Sequence, residues 1–143
     1  MRRDDLTHLP DIYGFERMVA YWVGTEQPFE IMIITLQDWK KIQLQSGYEH
    51  TNYALVRIAD YLKRLILGNV IARHGNHFFI ILEGDNYEMS QNLETKISER
   101  FQREWTIENE KENMNVHIEH ATYTENSQDI KAIMNWVMRG IIE

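Results

Sequence analysis

Apolar positions along this chain fall into short clusters whose spacing changes from one segment to the next. The clearest cluster is residues 69–83, Asn-Val-Ile-Ala-Arg-His-Gly-Asn-His-Phe-Phe-Ile-Ile-Leu-Glu, where two apolar runs, Val70–Ala72 and Phe78–Leu82, flank a polar break at Arg73–His77 with one glycine. β-Branched and aromatic runs around such a break predict a β-hairpin. Both runs are almost continuously apolar, which predicts burial on both faces with helices above and below. A polar tip projecting from a buried sheet is a place where chemistry can sit.

The other segments follow in order. Pro10 and Asp11 suit a helix start, with Phe15, Met18, Val19 and Trp22 at helical spacing behind them and Gly24 at the end. Asp4 and Thr7 read as local turn and capping residues. Residues 29–36, Phe-Glu-Ile-Met-Ile-Ile-Thr-Leu, form a buried strand. Asp38 or Gln37 then caps a long helical region, 39–67, which Gly47 bends or breaks and Gly68-Asn69 terminates. A third helix is expected from about Glu88 to Trp105, with Met89, Leu93, Ile97, Phe101 and Trp105 on one face. Residues 106–115 read as a charged, solvated connection. Val116–Tyr123 alternates as a strand with one wetter face. A last helix carries Ile130, Ile133, Met134, Val137 and Ile141, capped by Ser127 or Asp129.

The order is one helix, then strand–helix–strand–strand–helix–strand, then a helix. Right-handed crossovers turn a βαββαβ order into one antiparallel sheet with helices packed on it, an α/β (α+β) fold.

Composition narrows the function. At 143 residues and 43% hydrophobic content, residues 1–143 form a single domain with a real core. A formal charge of −7 argues against nucleic acid or an anionic membrane as the main partner. Without cysteines there is neither a disulfide framework nor a thiolate metal site. No run is long and apolar enough for a signal peptide or a membrane span, so the expected location is the cytoplasm, either alone or as the cytoplasmic domain of a larger protein.

The hairpin stretch also resembles the signature of the GGDEF family, the diguanylate cyclase domains, whose pattern is Arg-x-Gly-Gly-Asp-Glu-Phe between two strands. Arg73, Gly75 and Phe79 are in register, whereas Asn76, His77 and Phe78 stand where the family has Gly, Asp and Glu. The opening Asp4-Asp5-Leu6-Thr7-His8-Leu9-Pro10 is similar to the family's Asp-x-Leu-Thr-x-Leu-Pro. The resemblance covers nearly the whole chain. It implies the palm-like sheet shared with nucleotide cyclases and polymerases.

The resemblance also implies where chemistry is missing. Two-metal phosphoryl transfer needs fixed carboxylates for Mg²⁺. The family's Leu-Asp-x-Asp-x-Phe-Lys run corresponds to Ile34–Lys40, so its aspartate falls on Thr35 and its second acid on Gln37, with Asp38 out of register. At the hairpin His77 replaces the other metal-binding acid and Phe78 the neighbouring glutamate. None of these replaces a hard carboxylate well. In the guanine pocket Lys40 and Gly47 hold, while the base-reading Asn and Asp become Gln43 and Asn52. An amide oxygen accepts one of guanine's paired N–H donors where a carboxylate accepts both. The family's product-feedback motif, Arg-x-x-Asp, falls on Ile66–Asn69 with both charges absent.

The remaining candidates are weighed on their residue types. Six histidines suggest a metal, but His117 and His120 are three apart on a strand and so face opposite ways. His74 and His77 share a tip with no third ligand nominated, and read as solvated turn residues. His120 reads as a hydrogen-bonded histidine near the core. Trp39, Phe78, Phe79 and Trp105 are core aromatics, with Phe78 either folded over the vacated triphosphate site or covered by a partner. The expected function is a GGDEF-like domain without enzymatic activity, serving as a regulatory, dimerising or protein-binding module in bacterial signalling. No cofactor and no metal are expected, and the partners are a second copy or another protein. The alternative is a non-catalytic sensor holding a purine nucleotide in the remnant pocket, at Thr35, Lys40, Gln43, Asn52, Arg73, Gly75, Asn76, His77 and Phe78.

Overall fold

A computed structural model describes residues 2–67, 70–123 and 129–142. Helix α1 spans Ile12–Thr25, capped by Asp11, whose side chain accepts from the backbone N–H of Gly14. Strand β1 is Phe29–Leu36, helix α2 is Trp39–Ser46 and helix α3 is Tyr48–Leu65. The hairpin is β2, Val70–His74, and β3, His77–Glu83. Helix α4 follows at Tyr87–Phe101, then a small hairpin of β4, Trp105–Ile107, and β5, Glu110–Glu112. Strand β6, Val116–Tyr123, and helix α5, Ile130–Ile142, complete the fold.

The main sheet has the order β2-β3-β1-β6 and every pairing in it is antiparallel. Strand β1 lies at the centre, with Ile31 opposite Ile81, and Thr35 opposite both His77 and His117. Alternation splits the apolar side chains between two cores. Met32, Ile34, Leu36, Phe78 and Ile80 join Leu55, Ile58 and Leu62 of α3, together with Ile97 of α4. Phe29, Ile31, Ile33, Phe79 and Ile81 join Phe15 and Val19 of α1 and Ile133 and Val137 of α5. The predicted hairpin with helices on both faces is therefore what the chain forms.

Three element ends differ from the sequence reading, at Gly24, Asp38 and Phe101, and one, at Gly47, agrees with it. Gly24 lies inside α1; the helix ends where Glu26 turns left-handed at φ 58° and Thr25 Oγ1 donates to the Trp22 carbonyl. Gly47 does break the long helical region, at φ 88°, a conformation that costs glycine little. Asp38 occupies the cap position of α2 but is left-handed itself, so its carboxylate makes no capping bond. The third helix stops at Phe101, and residues 105–112 form a hairpin rather than a solvated connection. Trp105 and Ile107 both point into the core, and the tip residues Glu108 and Asn109 both have positive φ, as a two-residue type I′ turn requires. The terminating role expected of Gly68-Asn69 and the capping role expected of Ser127 fall outside the described residues. Asp129 accepts from the Lys131 backbone N–H at the start of α5.

Candidate functional site

Local chain chemistry first shapes the hairpin tip. His74 pairs with His77, leaving Gly75 and Asn76 as the turn. Gly75 takes φ 61° while Asn76 does not go positive, which matches a type II′ turn with glycine first. The turn does not project freely. The Leu36 N–H donates to the Asn76 carbonyl at 2.9 Å, and Asn76 Nδ2 donates back to the Leu36 carbonyl at 2.8 Å. The end of β1 and the hairpin tip are thereby clamped together.

That clamp brings Thr35 and His77 side by side. Thr35 Oγ1 and His77 Nδ1 lie 2.9 Å apart and share a hydrogen bond. His77 is not the solvated turn residue that its position suggested: it is only 6% exposed and stacks beside Phe79. Burial, and after it the nearby His74, hold the His77 imidazole below its ordinary pKa, so the ring is neutral at neutral pH. His74 itself is exposed.

Phe78 is fully buried in the core beneath α3 and α4. It neither folds over a vacated triphosphate site nor presents itself to a partner. Adjacent residues on a strand point to opposite faces, so with His77 turned one way, Phe78 turns the other.

Arg73 is also engaged. Its Nε and Nη2 donate to the two carboxylate oxygens of Asp4 at 2.9 and 2.7 Å, and Nη1 donates to the Gly75 carbonyl at 2.6 Å. Asp4 in turn accepts from the backbone N–H and the hydroxyl of Thr7. The local Asp4–Thr7 turn was legible in the sequence, whereas the arginine was not. Burial pushes the Asp4 carboxyl up, but the bonds from Arg73 and Thr7 together outweigh it and bring it from an ordinary 3.8 to about 2. Lys63 on α3 donates to the Thr7 carbonyl at 2.9 Å, tying the same segment to the helical layer.

The base-pocket candidates are less closely gathered. Lys40 and Asn52 are exposed and Gln43 is half-buried. A cavity of about 460 Å³ is lined by Leu6, Glu49, Asn52, Tyr53 and Val56, and none of Lys40, Gln43 or Arg73 lines it. At the former feedback motif Ile66 is buried in the core and Leu67 is exposed, while Gly68 and Asn69 lie outside the described residues.

Two clusters carried little sequence signal. Glu30 on β1 is buried and meets His120 Nδ1 at 2.7 Å, with Ser90 Oγ of α4 donating to the same carboxylate oxygen. Glu94 reaches His120 Nε2 at 3.3 Å from the other side. The charged Glu30 inside the apolar run 29–36 was one hint, and His120 is, as expected, a hydrogen-bonded histidine near the core. His50, also buried, meets Glu112 at 3.0 Å, with Glu108 and Glu110 at 3.7 and 3.9 Å. These partners lie on the unforeseen β4–β5 hairpin. His117 pairs with Glu119 at 3.0 Å. Among the described residues no group of three His, Asp or Glu side chains is arranged to hold a metal ion.

An antiparallel sheet whose central strand ends against a hairpin tip is the palm-like arrangement that the resemblance implies. The chain belongs to the GGDEF family: the family model described as "Diguanylate cyclase, GGDEF domain" matches residues 1–139. Among solved structures, the GGDEF domain of FimX from Pseudomonas aeruginosa is similar, with a TM-score of 0.87, 17% identity, and coverage of 97% of this chain and 90% of that one. The GGDEF domain of DgcB from Caulobacter crescentus, in complex with c-di-GMP, has a TM-score of 0.80 and 16% identity, covering 93% and 81%. Diguanylate cyclase SiaD from Pseudomonas aeruginosa, in complex with its activator SiaC, has a TM-score of 0.77 and 14% identity, covering 85% of this chain and 49% of that one. No curated protein matches the chain. Among the described residues no helix is long and apolar enough to cross a membrane.

Proposed function

We propose that this is a catalytically silent GGDEF domain that serves cyclic di-GMP signalling as a regulatory, dimerising or protein-binding module. The observation that carries the reading is the Thr35–His77 hydrogen bond. Both residues stand where the family resemblance places metal-binding acids, and they satisfy each other instead of facing a cation. Mg²⁺ takes hard oxygen ligands and neutralises triphosphate charge. A hydroxyl bonded to a buried neutral imidazole supplies no negative charge, and the Phe78 ring cannot ligate, so the donor set does not fit the metal. Arg73 is neutralised by Asp4, which removes a cation from the same neighbourhood. A similar protein, SiaD, is described in complex with an activator protein, which supports a reading in which a partner protein is bound.

The test is to incubate the purified protein with GTP and millimolar Mg²⁺ and separate the products chromatographically. No cyclic di-GMP is expected, and Mg²⁺ by itself is expected to leave the melting temperature unchanged. Product that persists after contaminating cyclases have been excluded overturns the reading.

A second reading, a sensor for a purine nucleotide, has one observation in its favour. The cavity at Asn52 offers Leu6 and Val56 as apolar walls, the Tyr53 ring, and the Glu49 carboxylate as an acceptor for N–H donors. A thermal-shift series with GTP, ATP and cyclic di-GMP separates the two, because a ligand that binds only the native state raises its stability.

A further inference from the structure

The chain is acidic overall, yet five of its 15 lysines and arginines gather on one surface. On α3, Arg57, Tyr61 and Arg64 are four and three residues apart and share one helix face. On the neighbouring stretch, Lys96, Arg100 and Arg103 repeat that spacing along α4 and just past its end. The two rows are side by side. Tyr61 Oη donates to the Lys96 carbonyl at 3.4 Å, and the Arg100 guanidinium lies 6.0 Å from the Tyr61 ring centroid and 3.7 Å from that of Trp105.

Among the described residues none of these five cations forms an ion pair. Asp60, Glu99 and Glu104 are close in sequence, but the pair Asp60 makes is with Lys63. Burial first, then Arg103 and more weakly Arg57, push the Arg100 guanidinium below its ordinary pKa, with Tyr61 opposing them. Arg100 Nη1 donates to the Arg103 and Glu104 carbonyls, but among the described residues no carboxylate offsets the repulsion between the guanidinium groups, which a bound anion would relieve.

We infer that the α3–α4 face around Arg57, Arg100 and Arg103 is a docking surface for an acidic, Asp/Glu-rich segment of a partner protein. Guanidinium groups pair carboxylates through two parallel N–H bonds, which suits a peptide bearing several of them. From Arg57 to Arg64 the row runs about 10 Å, the reach of three or four residues of extended chain. Outside the five cations, the other 10 lysines and arginines against 22 acids leave the rest of the chain at −12, which disfavours a longer polyphosphate. Around Arg57, Arg100 and Arg103 the aromatic rings are covered, Trp105 being buried and Tyr61 partly so, while the exposed Leu67 and Met89 lie beside Lys96. This surface deepens the protein-binding reading above, and it uses no residue of the Thr35–His77 site.

The test uses the full chain and a fluorescein-labelled peptide of about eight residues, all Asp and Glu, at low ionic strength. Fluorescence anisotropy compares it with a length-matched Gln peptide. Saturable binding of the acidic peptide alone is expected, weakened about tenfold or more by Arg57→Gln combined with Arg103→Gln, and unchanged by Arg17→Gln combined with Arg139→Gln. Both substituted positions are exposed, and an unchanged melting temperature confirms that the fold survives. Equal binding of the Gln peptide, or equal loss in the two double variants, overturns the proposal. So does tighter binding of a single-stranded oligonucleotide or of anionic phosphatidylserine vesicles through the same arginines. Dimerisation of the wild type that the Arg57/Arg103 variant abolishes overturns it too, in favour of a second copy as occupant. None of these outcomes alters the GTP assay, so the two readings fail separately.

Discussion

Asp4 and Arg73 lie 69 positions apart, yet both carboxylate oxygens of the first accept from the guanidinium of the second. This pair fastens the opening segment of the chain to the strand that leads into the hairpin tip. Both side chains are largely buried, at 16% and 13% exposure, so the bonds are shielded from water. Arg73→Ala is expected to cost about 1.5–3 kcal/mol per charged hydrogen bond lost, and Arg73→Lys to recover only part, because an ammonium cannot fork. Urea denaturation at neutral pH measures both.

The same pair sets an acid limit. The folded-state pKa of Asp4 is depressed from 3.8 to about 2, so the unfolded chain binds its proton first as pH falls. The stabilisation is therefore full above about pH 5 and is lost as pH drops through 3.8 towards 2. Melting temperatures between pH 5 and pH 2 are expected to fall less steeply in Asp4→Asn than in the wild type.

His77 sets a second window at higher pH. Its folded-state pKa lies below the ordinary 6.5, so the unfolded state takes up the proton first on acidification. Stability is full above pH 6.5 and declines as pH falls below it towards the depressed folded value. His77→Gln removes that slope, while His74→Gln, at the exposed neighbouring position, leaves most of it. Unfolding free energies at pH 7.5 and 5.5 distinguish the two variants.

Phe78→Glu is expected to prevent stable folding. Truncating a fully buried phenylalanine costs about 3–5 kcal/mol, and a glutamate adds the desolvation of an unpaired charge. Restoring metal ligands must therefore begin with Thr35→Asp and His77→Asp alone. Near-ultraviolet circular dichroism of Phe78→Glu checks the first statement, and Mg²⁺-dependent melting of the double variant checks the second.

His120→Ala strands a buried carboxylate. Among the described residues Glu30 would keep Ser90 alone as a side-chain partner, and removing one member of a buried pair costs about 3–5 kcal/mol. His117→Ala breaks an exposed pair on the same strand and is expected to cost less than about 1 kcal/mol. Parallel denaturation of the two variants reads the difference directly.

Local periodicity alone determined most of the architecture. The hairpin at 70–83, the buried run 29–36, the break at Gly47 and the cap at Asp11 follow from side-chain size, branching and backbone freedom over a few neighbouring residues. They needed no knowledge of the rest of the chain. Thr35, His77 and Phe78 stood out for a different reason: the family resemblance places acids at their register in two motifs, the Ile34–Lys40 run and the hairpin signature.

What the tertiary structure decided was partnership. Alternation says that His77 and Phe78 face opposite ways, but not that one face ends against Thr35 and the other enters the core under α3. Trp105 fits the apolar face of a helix as well as that of a strand, and only its burial with Ile107 beneath α3 selects the strand. Asp4 finds Arg73, Glu30 finds His120, and the arginines of α3 meet those of α4 through packing between segments remote in sequence. Such contacts depend on how elements dock, because a side chain's charge and shape specify the kind of partner it needs while the fold supplies the individual residue.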